Sequence, residues 1–203
     1  MFLLAAVLLG VVTVPLCGGR IGALADVRLR MVPLLFTALI VQILVTSVVT
    51  DWNDTLLRAL HLGTYAVLLF VLWANRRIPG MWVIAAGAAL NLAAIVANVG
   101  VMPSSRSAVR SAGLAADPEG FVNSGVLEHP RLLFLGDIWA IPKGWPLANV
   151  FSIGDVVIAI GVFVAVHAIC GSRIIPSRFR AHTGVTEADG VCQPDAGITA
   201  TAD

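Results

Sequence analysis

The sequence predicts an all-α integral membrane protein with five transmembrane helices and an ordered extracytoplasmic loop between the fourth and the fifth. The chain of 203 residues is 58% hydrophobic and 12% charged, which is about half the charged fraction of an average soluble domain. Its apolar residues fall in blocks of roughly 16 to 22, the length that crosses a bilayer core of about 30 Å. The net charge of +1 argues against a nucleic-acid partner, because no basic field attracts phosphates.

The predicted transmembrane domain covers residues 1–171, and its spans are 1–16, 31–50, 56–74, 81–100 and 151–171. Each span should be helical, because a bilayer offers no water to hydrogen-bond the backbone. The first span is short, and a cleaved signal peptide is the alternative. The absence of a basic start and of a small-residue cleavage site favours a retained helix. The tail, 172–203, is poor in large apolar residues, so we expect a disordered cytoplasmic segment.

The distribution of basic residues predicts the orientation in the cell inner (plasma) membrane. Eight arginines follow the first, third and fifth spans: Arg20, Arg28, Arg30, Arg76, Arg77, Arg173, Arg178 and Arg180. The opposite side has fewer basic residues, and most of them lie in one long loop that also carries acids. Because cytoplasmic loops are enriched in Lys and Arg, the amino terminus should lie outside and the carboxyl terminus inside.

The three cysteines fit the same orientation. Cys17, Cys170 and Cys192 would all lie on the cytoplasmic side, where thiols stay reduced. They form no Cys-x-x-Cys pair and no histidine cluster accompanies them. We therefore expect no metal site and no cofactor.

The fourth span carries two helical faces of small or polar residues. Alanines recur at every fourth position and predict a ridge for close helix contact: Ala85, Ala89, Ala93 and Ala97. Asn91 and Asn98 lie on a second face with Gly87. Asn91, near the middle of the span, should meet a polar neighbour such as Gln42 of the second span. We interpret Gln42, Asn91 and Asn98 as residues that either hold helices together or line a substrate groove.

The predicted outer loop, 101–150, is too long for a simple connection. Residues 102–113 predict a short capped helix. The apolar stretch 132–147 predicts an ordered piece that lies against the membrane surface or folds back over the helices. Asp137 and Asp155 each follow a glycine and would both lie at the outer membrane face. Two carboxylates that approach each other can share a proton and work as an acid and a base. The alternative is that Asp155 closes a Ser-x-x-Asp helix start and Asp137 is a turn residue.

A local resemblance supports the acid pair. Asp137-Ile138-Trp139, followed by Phe151-Ser152-Ile153-Gly154-Asp155, resembles the carboxyl-terminal part of bacterial lipoprotein signal peptidases. This resemblance implies a membrane aspartyl peptidase with Asp137 and Asp155 as its catalytic pair. The sequence departs from that family in lacking an Asn-x-x-Asp-Arg motif before Asp137 and in having one more span.

The whole chain resembles a bacterial family of multi-pass membrane proteins of unknown function. The likeness rests on Gly18-Gly19-Arg20, on Asn91 with Asn98, and on Phe134-Leu135-Gly136-Asp137; it implies a fold but no activity. Two hypotheses follow. The first is a non-catalytic packing or accessory component of the bacterial membrane, with membrane lipids and either its own copies or a larger membrane complex as partners. The second is a membrane aspartyl peptidase that uses Asp137 and Asp155.

Overall fold

The protein is mostly helical. The computed structural model describes residues 2–47, 53–114, 124–177 and 180, and six α-helices and four short strands lie within them. In chain order they are α1 (Phe2–Leu16), α2 (Val32–Ser47), α3 (Asp54–Ala74), α4 (Met81–Ala97), β1 (Met102–Pro103), α5 (Arg106–Ala112), β2 (Ser124–Gly125), β3 (Trp139–Ile141), β4 (Asn149–Phe151) and α6 (Ile153–Ile169). Each of the five predicted spans thus contains one helix, which confirms the helical fold class.

The prediction of five transmembrane helices is not supported by the helix lengths. Within the described residues, α3 with its 21 residues is the one helix that is both long and apolar enough to cross a membrane. The other apolar helices, α1, α2, α4 and α6, have 15, 16, 17 and 17 residues. At a rise of 1.5 Å per residue they reach roughly 22–26 Å, against a bilayer core of about 30 Å.

Polar side chains explain why α4 and α6 are shorter than their apolar segments. The Asn98 side chain donates to the carbonyl of Ala94 at 2.7 Å and occupies the end of α4. Ser152 caps the start of α6 with its side chain. Hydropathy continues beyond both positions, but the hydrogen bonds of the caps fix the helix ends.

The five long helices pack in a row. α6 lies between α1 and α4, α3 covers the other side of α4, and α2 packs against α3. The contact between α4 and α6 is built from glycines. A Cβ at Gly87 would lie 2.6 Å from the carbonyl oxygen of Gly154, and a Cβ at Gly161 would lie 2.6 Å from the amide nitrogen of Ile84. The two helices therefore run antiparallel with their backbones in close contact.

The alanine ridge predicted on α4 is wrong. The buried residues of α4 are Gly87, Ala88, Asn91, Ala94 and Ile95, whereas Ala89 and Ala93 are exposed. Because glycine has no Cβ, the glycine face allows a closer approach than the alanine ridge, and α6 packs there.

The segment between α4 and α6 forms a cap over one end of the helices. β1 pairs with β2 in parallel, and β3 pairs with β4 in an antiparallel hairpin with Trp139 opposite Phe151. α5 begins after its N-cap Ser105, whose side chain accepts from the Ala108 amide, so the capped helix predicted within 102–113 is confirmed.

Residues 115–123 of the predicted outer loop lie outside the described residues. So does the predicted disordered tail, except for 172–177 and 180.

We expect Gly87→Ala to destabilise the protein and Ala89→Leu to leave its stability unchanged. The new Cβ at position 87 meets the backbone of α6, and such overpacking costs about 1–3 kcal/mol. Ala89 is exposed and lines a cavity of about 340 Å³ beside Leu72 of α3, which has room for the larger side chain. The midpoint of thermal unfolding, measured in one detergent for both variants, checks this pair. A lower midpoint for Ala89→Leu alone would mean that a neighbouring helix packs closely on the alanine face.

Candidate functional site

The two candidate aspartates line the same cavity. It has a volume of about 320 Å³ and lies where α3, α4 and the start of α6 meet the cap. Asp137 reaches it from the cap and Asp155 from the first turn of α6. The structure therefore places a carboxylate of the cap and a carboxylate of α6 on the wall of one cavity; we call this space the acid cavity.

Asp155 takes part in a hydrogen-bond network with Ser152 and Asn91 at the start of α6. Its Oδ2 accepts from the Ser152 amide at 3.1 Å, and its own amide donates to Ser152 Oγ at 3.0 Å. This capping box confirms the Ser-x-x-Asp interpretation. Asn91 completes the set, because its Nδ2 donates to Asp155 Oδ1 at 2.9 Å and its Oδ1 accepts from Ser152 Oγ at 2.8 Å.

Gly154 makes the Asn91 contact possible. A Cβ at this position would collide with the Asn91 side-chain oxygen. Asn91 therefore joins α4 to the first turn of α6 and fixes the orientation of the Asp155 carboxylate.

Asp137 is buried and bonded within the cap. Its Oδ2 accepts from Ser124 Oγ at 2.5 Å and from Ser104 Oγ at 3.4 Å. Its backbone continues the edge of β1, where the Asp137 amide donates to the Pro103 carbonyl at 2.9 Å and the Ser105 amide donates to the Asp137 carbonyl at 3.0 Å. This pairing places the carboxylate at the cavity wall.

The surroundings of Asp137 change its proton affinity. Burial raises the pKa of its carboxyl group, and the negative charge of Asp155 raises it further. The hydrogen bonds from Ser124 and Ser104 lower the pKa in part. Asp137 therefore holds a proton at pH values where an ordinary aspartate is ionised.

The predicted contact between Asn91 and Gln42 is wrong. Gln42 lies on α2 and pairs with α3, through His61 Nδ1 at 2.8 Å and the Thr64 hydroxyl at 2.5 Å. It lines a separate, apolar cavity of about 150 Å³ between α2 and α3. The physical reason is the packing order, because α3 lies between α2 and α4 and takes the hydrogen bonds of Gln42 itself.

Asn98 anchors the cap and does not line the acid cavity. Its Oδ1 accepts from the Arg131 amide at 2.8 Å, and its Nδ2 donates to the Arg131 carbonyl at 2.7 Å. Asn75, which ends α3, makes the same two bonds to the backbone of Arg30, at 2.7 and 3.0 Å. In both cases a C-cap asparagine fixes a distant loop to a helix end, so Asn98 is a packing residue.

Several polar residues of the acid cavity were not predicted from the sequence. Ser104 and Ser124 bind Asp137, Asn149 comes from β4, and His61 and Tyr65 come from α3. The spacing of four between His61 and Tyr65 places them on one helix face, which is the one signal that could have found them. Among the described residues, no group of three or more His, Cys, Asp or Glu could hold a metal ion.

We expect the stability contributed by Asp137 to decrease as pH rises. The folded-state pKa is raised above the unfolded value of about 3.9, so the native state retains the proton more tightly. This stabilisation is complete below the unfolded pKa and is lost as pH rises through the folded pKa. The thermal midpoint of the wild type, measured relative to that of Asp137→Asn, should therefore fall as the pH is raised from acidic to neutral. Asp54→Asn, at a side chain 65% exposed, is the control; the same difference for that variant would contradict the assignment.

Comparison with known proteins gives a family but no activity. Residues 26–167 match a family of unknown function, DUF5317. An uncharacterised protein of Thermotoga maritima is 31% identical over 113 residues, which cover 56% of this chain and 63% of the relative. The match thus spans less than two thirds of that relative's length. No solved structure matches, and the local likeness to lipoprotein signal peptidases stays a prediction. Because the matched region covers most of the chain, the protein belongs to the DUF5317 family of unknown function.

Proposed function

We propose that this protein is an integral membrane aspartyl hydrolase whose catalytic pair is Asp137 and Asp155. The observation that carries the proposal is that both carboxylates line one cavity. In such a pair, an ionised carboxylate takes a proton from the water that attacks a carbonyl carbon. The protonated partner gives its proton to the leaving group.

The surroundings of the two acids support a division of roles. Burial raises the pKa of Asp137, which suits this residue as the general acid. Asp155 is oriented through both carboxylate oxygens by Asn91 and the Ser152 amide, and we assign it as the general base. The resemblance of the two segments 137–139 and 151–155 to lipoprotein signal peptidases supports a peptide bond as the substrate.

Placement of the protein in a membrane is part of the proposal. Large apolar side chains are exposed along the helices, including Leu9 at 62%, Val12 at 63% and Phe36 at 58%. Soluble proteins rarely expose contiguous apolar surface of this kind. Helices shorter than the bilayer core can be accommodated by local thinning of the membrane. We propose five spans with the amino terminus outside, so that the acid cavity faces the extracytoplasmic side.

A second candidate function is a non-catalytic membrane component that packs against lipid, its own copies or a larger complex. The observation that favours it is the capping box, which gives Asp155 a structural role without any chemistry. Under this alternative, Asp155→Asn costs only about 0.3–1 kcal/mol and leaves function intact.

We expect Asp137→Asn and Asp155→Asn each to abolish proteolysis while the protein level stays normal. The amide keeps the size of the carboxyl group but cannot transfer the proton. The variants are expressed in a host that lacks the native gene, and the new amino termini of its membrane polypeptides are profiled by mass spectrometry. Wild type and the control Asp54→Asn should restore a set of termini that the two cavity variants do not. If the variant with both aspartates replaced by asparagine gave the same amino termini as the wild type, the result would instead support the non-catalytic candidate.

We expect the carboxyl-terminal tail to be inaccessible from outside the cell. A Cys17→Ser/Cys170→Ser variant leaves Cys192 as the sole thiol. A membrane-impermeant maleimide should label Cys192 only after the cells are permeabilised, because the basic residues predict a cytoplasmic carboxyl terminus. Efficient labelling in intact cells would reverse the proposed orientation.

A further inference from the structure

The polar side chains of the acid cavity fall into two sets. The first set is bonded to other side chains: Ser104 and Ser124 to Asp137, Asn91 to Asp155 and Ser152, and His61 to Gln42. The second set is Tyr65 and Asn149, which line the cavity. Within the described part of the chain, neither the Tyr65 hydroxyl nor the Asn149 amide group makes a hydrogen bond. These two donors are therefore available to a ligand.

The position of Tyr65 is fixed by the packing of its aromatic ring. The ring packs against the cluster formed by Ala94, Ile95 and Met102. It also meets the His61 ring edge-on, with centroids 5.4 Å apart at 79°. Both Asp137 and Asp155 are close enough for their charges to act on the Tyr65 hydroxyl. A rigid ring with a polar tip at the cavity suits a fixed hydrogen-bond donor.

Asn149 reaches the cavity from the cap. It lies on β4, where it is paired with Ile141 of β3, so its backbone position is fixed by the hairpin. The two available donors thus come from different layers of the fold, one from α3 and one from β4, and both line the cavity that holds the acid pair.

We propose that Tyr65 and Asn149 donate hydrogen bonds to the carbonyl oxygen of the substrate, a role that rests on the proposed hydrolase function. When the oxygen of water bonds to the carbonyl carbon, its proton passes to Asp155 and the π electron pair moves onto the carbonyl oxygen. Donors preorganised at that oxygen stabilise the charge that develops there. The carbon–nitrogen bond then breaks as the pair returns, and the leaving nitrogen takes the proton of Asp137.

The charged residues that line the cavity favour a neutral ligand over an anionic one. None of the described residues that line the cavity is Lys or Arg. These residues therefore provide no lysine or arginine cation to pair with a phosphate or carboxylate ligand. The acid pair repels anions as well. A neutral carbonyl compound, such as a peptide amide, fits both the two donors and the charge.

Tyr65→Phe and Asn149→Leu test the proposal, because each removes the donor at nearly constant size. The rate at which the Asp-dependent amino termini form is followed after induction of each variant in the host that lacks the native gene. Each variant should lower the initial rate per molecule of protein by about 10²-fold or more, with an unchanged thermal midpoint. Thr64→Val is the matched control, since it removes a hydroxyl from α3 at a residue that contacts Gln42 and lies outside the acid cavity.

The outcomes separate this proposal from the one on which it rests. Wild-type rates in both donor variants, together with loss of the termini in Asp137→Asn, would overturn the donor role and keep the hydrolase. If wild-type protein produces no Asp-dependent termini, the hydrolase function fails and the donor role fails with it.

Discussion

The close contact between α4 and α6 is the constraint on which the rest of the structure depends. Gly87 and Gly154 meet with no side chain between the two backbones, and this approach lets the Asn91 side chain reach the first turn of α6. Asn91 then bonds both Ser152 and Asp155. The packing of two helices thereby orients a carboxylate, and the orientation requires glycine at positions where any side chain would separate the backbones.

The second acid depends on how the cap is fixed to the helices. Asn98 binds the Arg131 backbone through both polar atoms of its amide, and the chain continues from there to Asp137. The Asp137 backbone then pairs with the edge of β1, which directly follows α4. One helix therefore positions both carboxylates, since Asn91 orients Asp155 and the residues at the end of α4 hold the segment that carries Asp137.

A structural role and the proposed chemical role coincide at the acid cavity. The capping box of α6 explains Asp155 as a helix-start residue, yet the same hydrogen bonds leave its carboxylate at the wall of a cavity shared with a second acid. Asp137 is buried without a described cationic partner, so it holds its proton more tightly than an exposed aspartate. A buried acid that is not paired with a cation reduces stability at neutral pH, and such a cost is typical of functional sites.

The sequence by itself determined the features that depend on neighbouring residues. Hydropathy located the five long helices, and Ser152 with Asp155 predicted the start of α6. The segment 102–113 predicted α5, and the two Gly-Asp pairs identified the acids. Which faces pack, and which distant residues meet, was decided by the tertiary structure alone. Asn91 bonds an acid 64 residues away and does not meet Gln42. Ala89 and Ala93 of the alanine ridge are exposed, and Tyr65 and Asn149 join the cavity from separate layers. The physical reason is that helix propensity and capping act over a few residues, whereas close packing depends on the shapes of two surfaces that the chain brings together only when it folds.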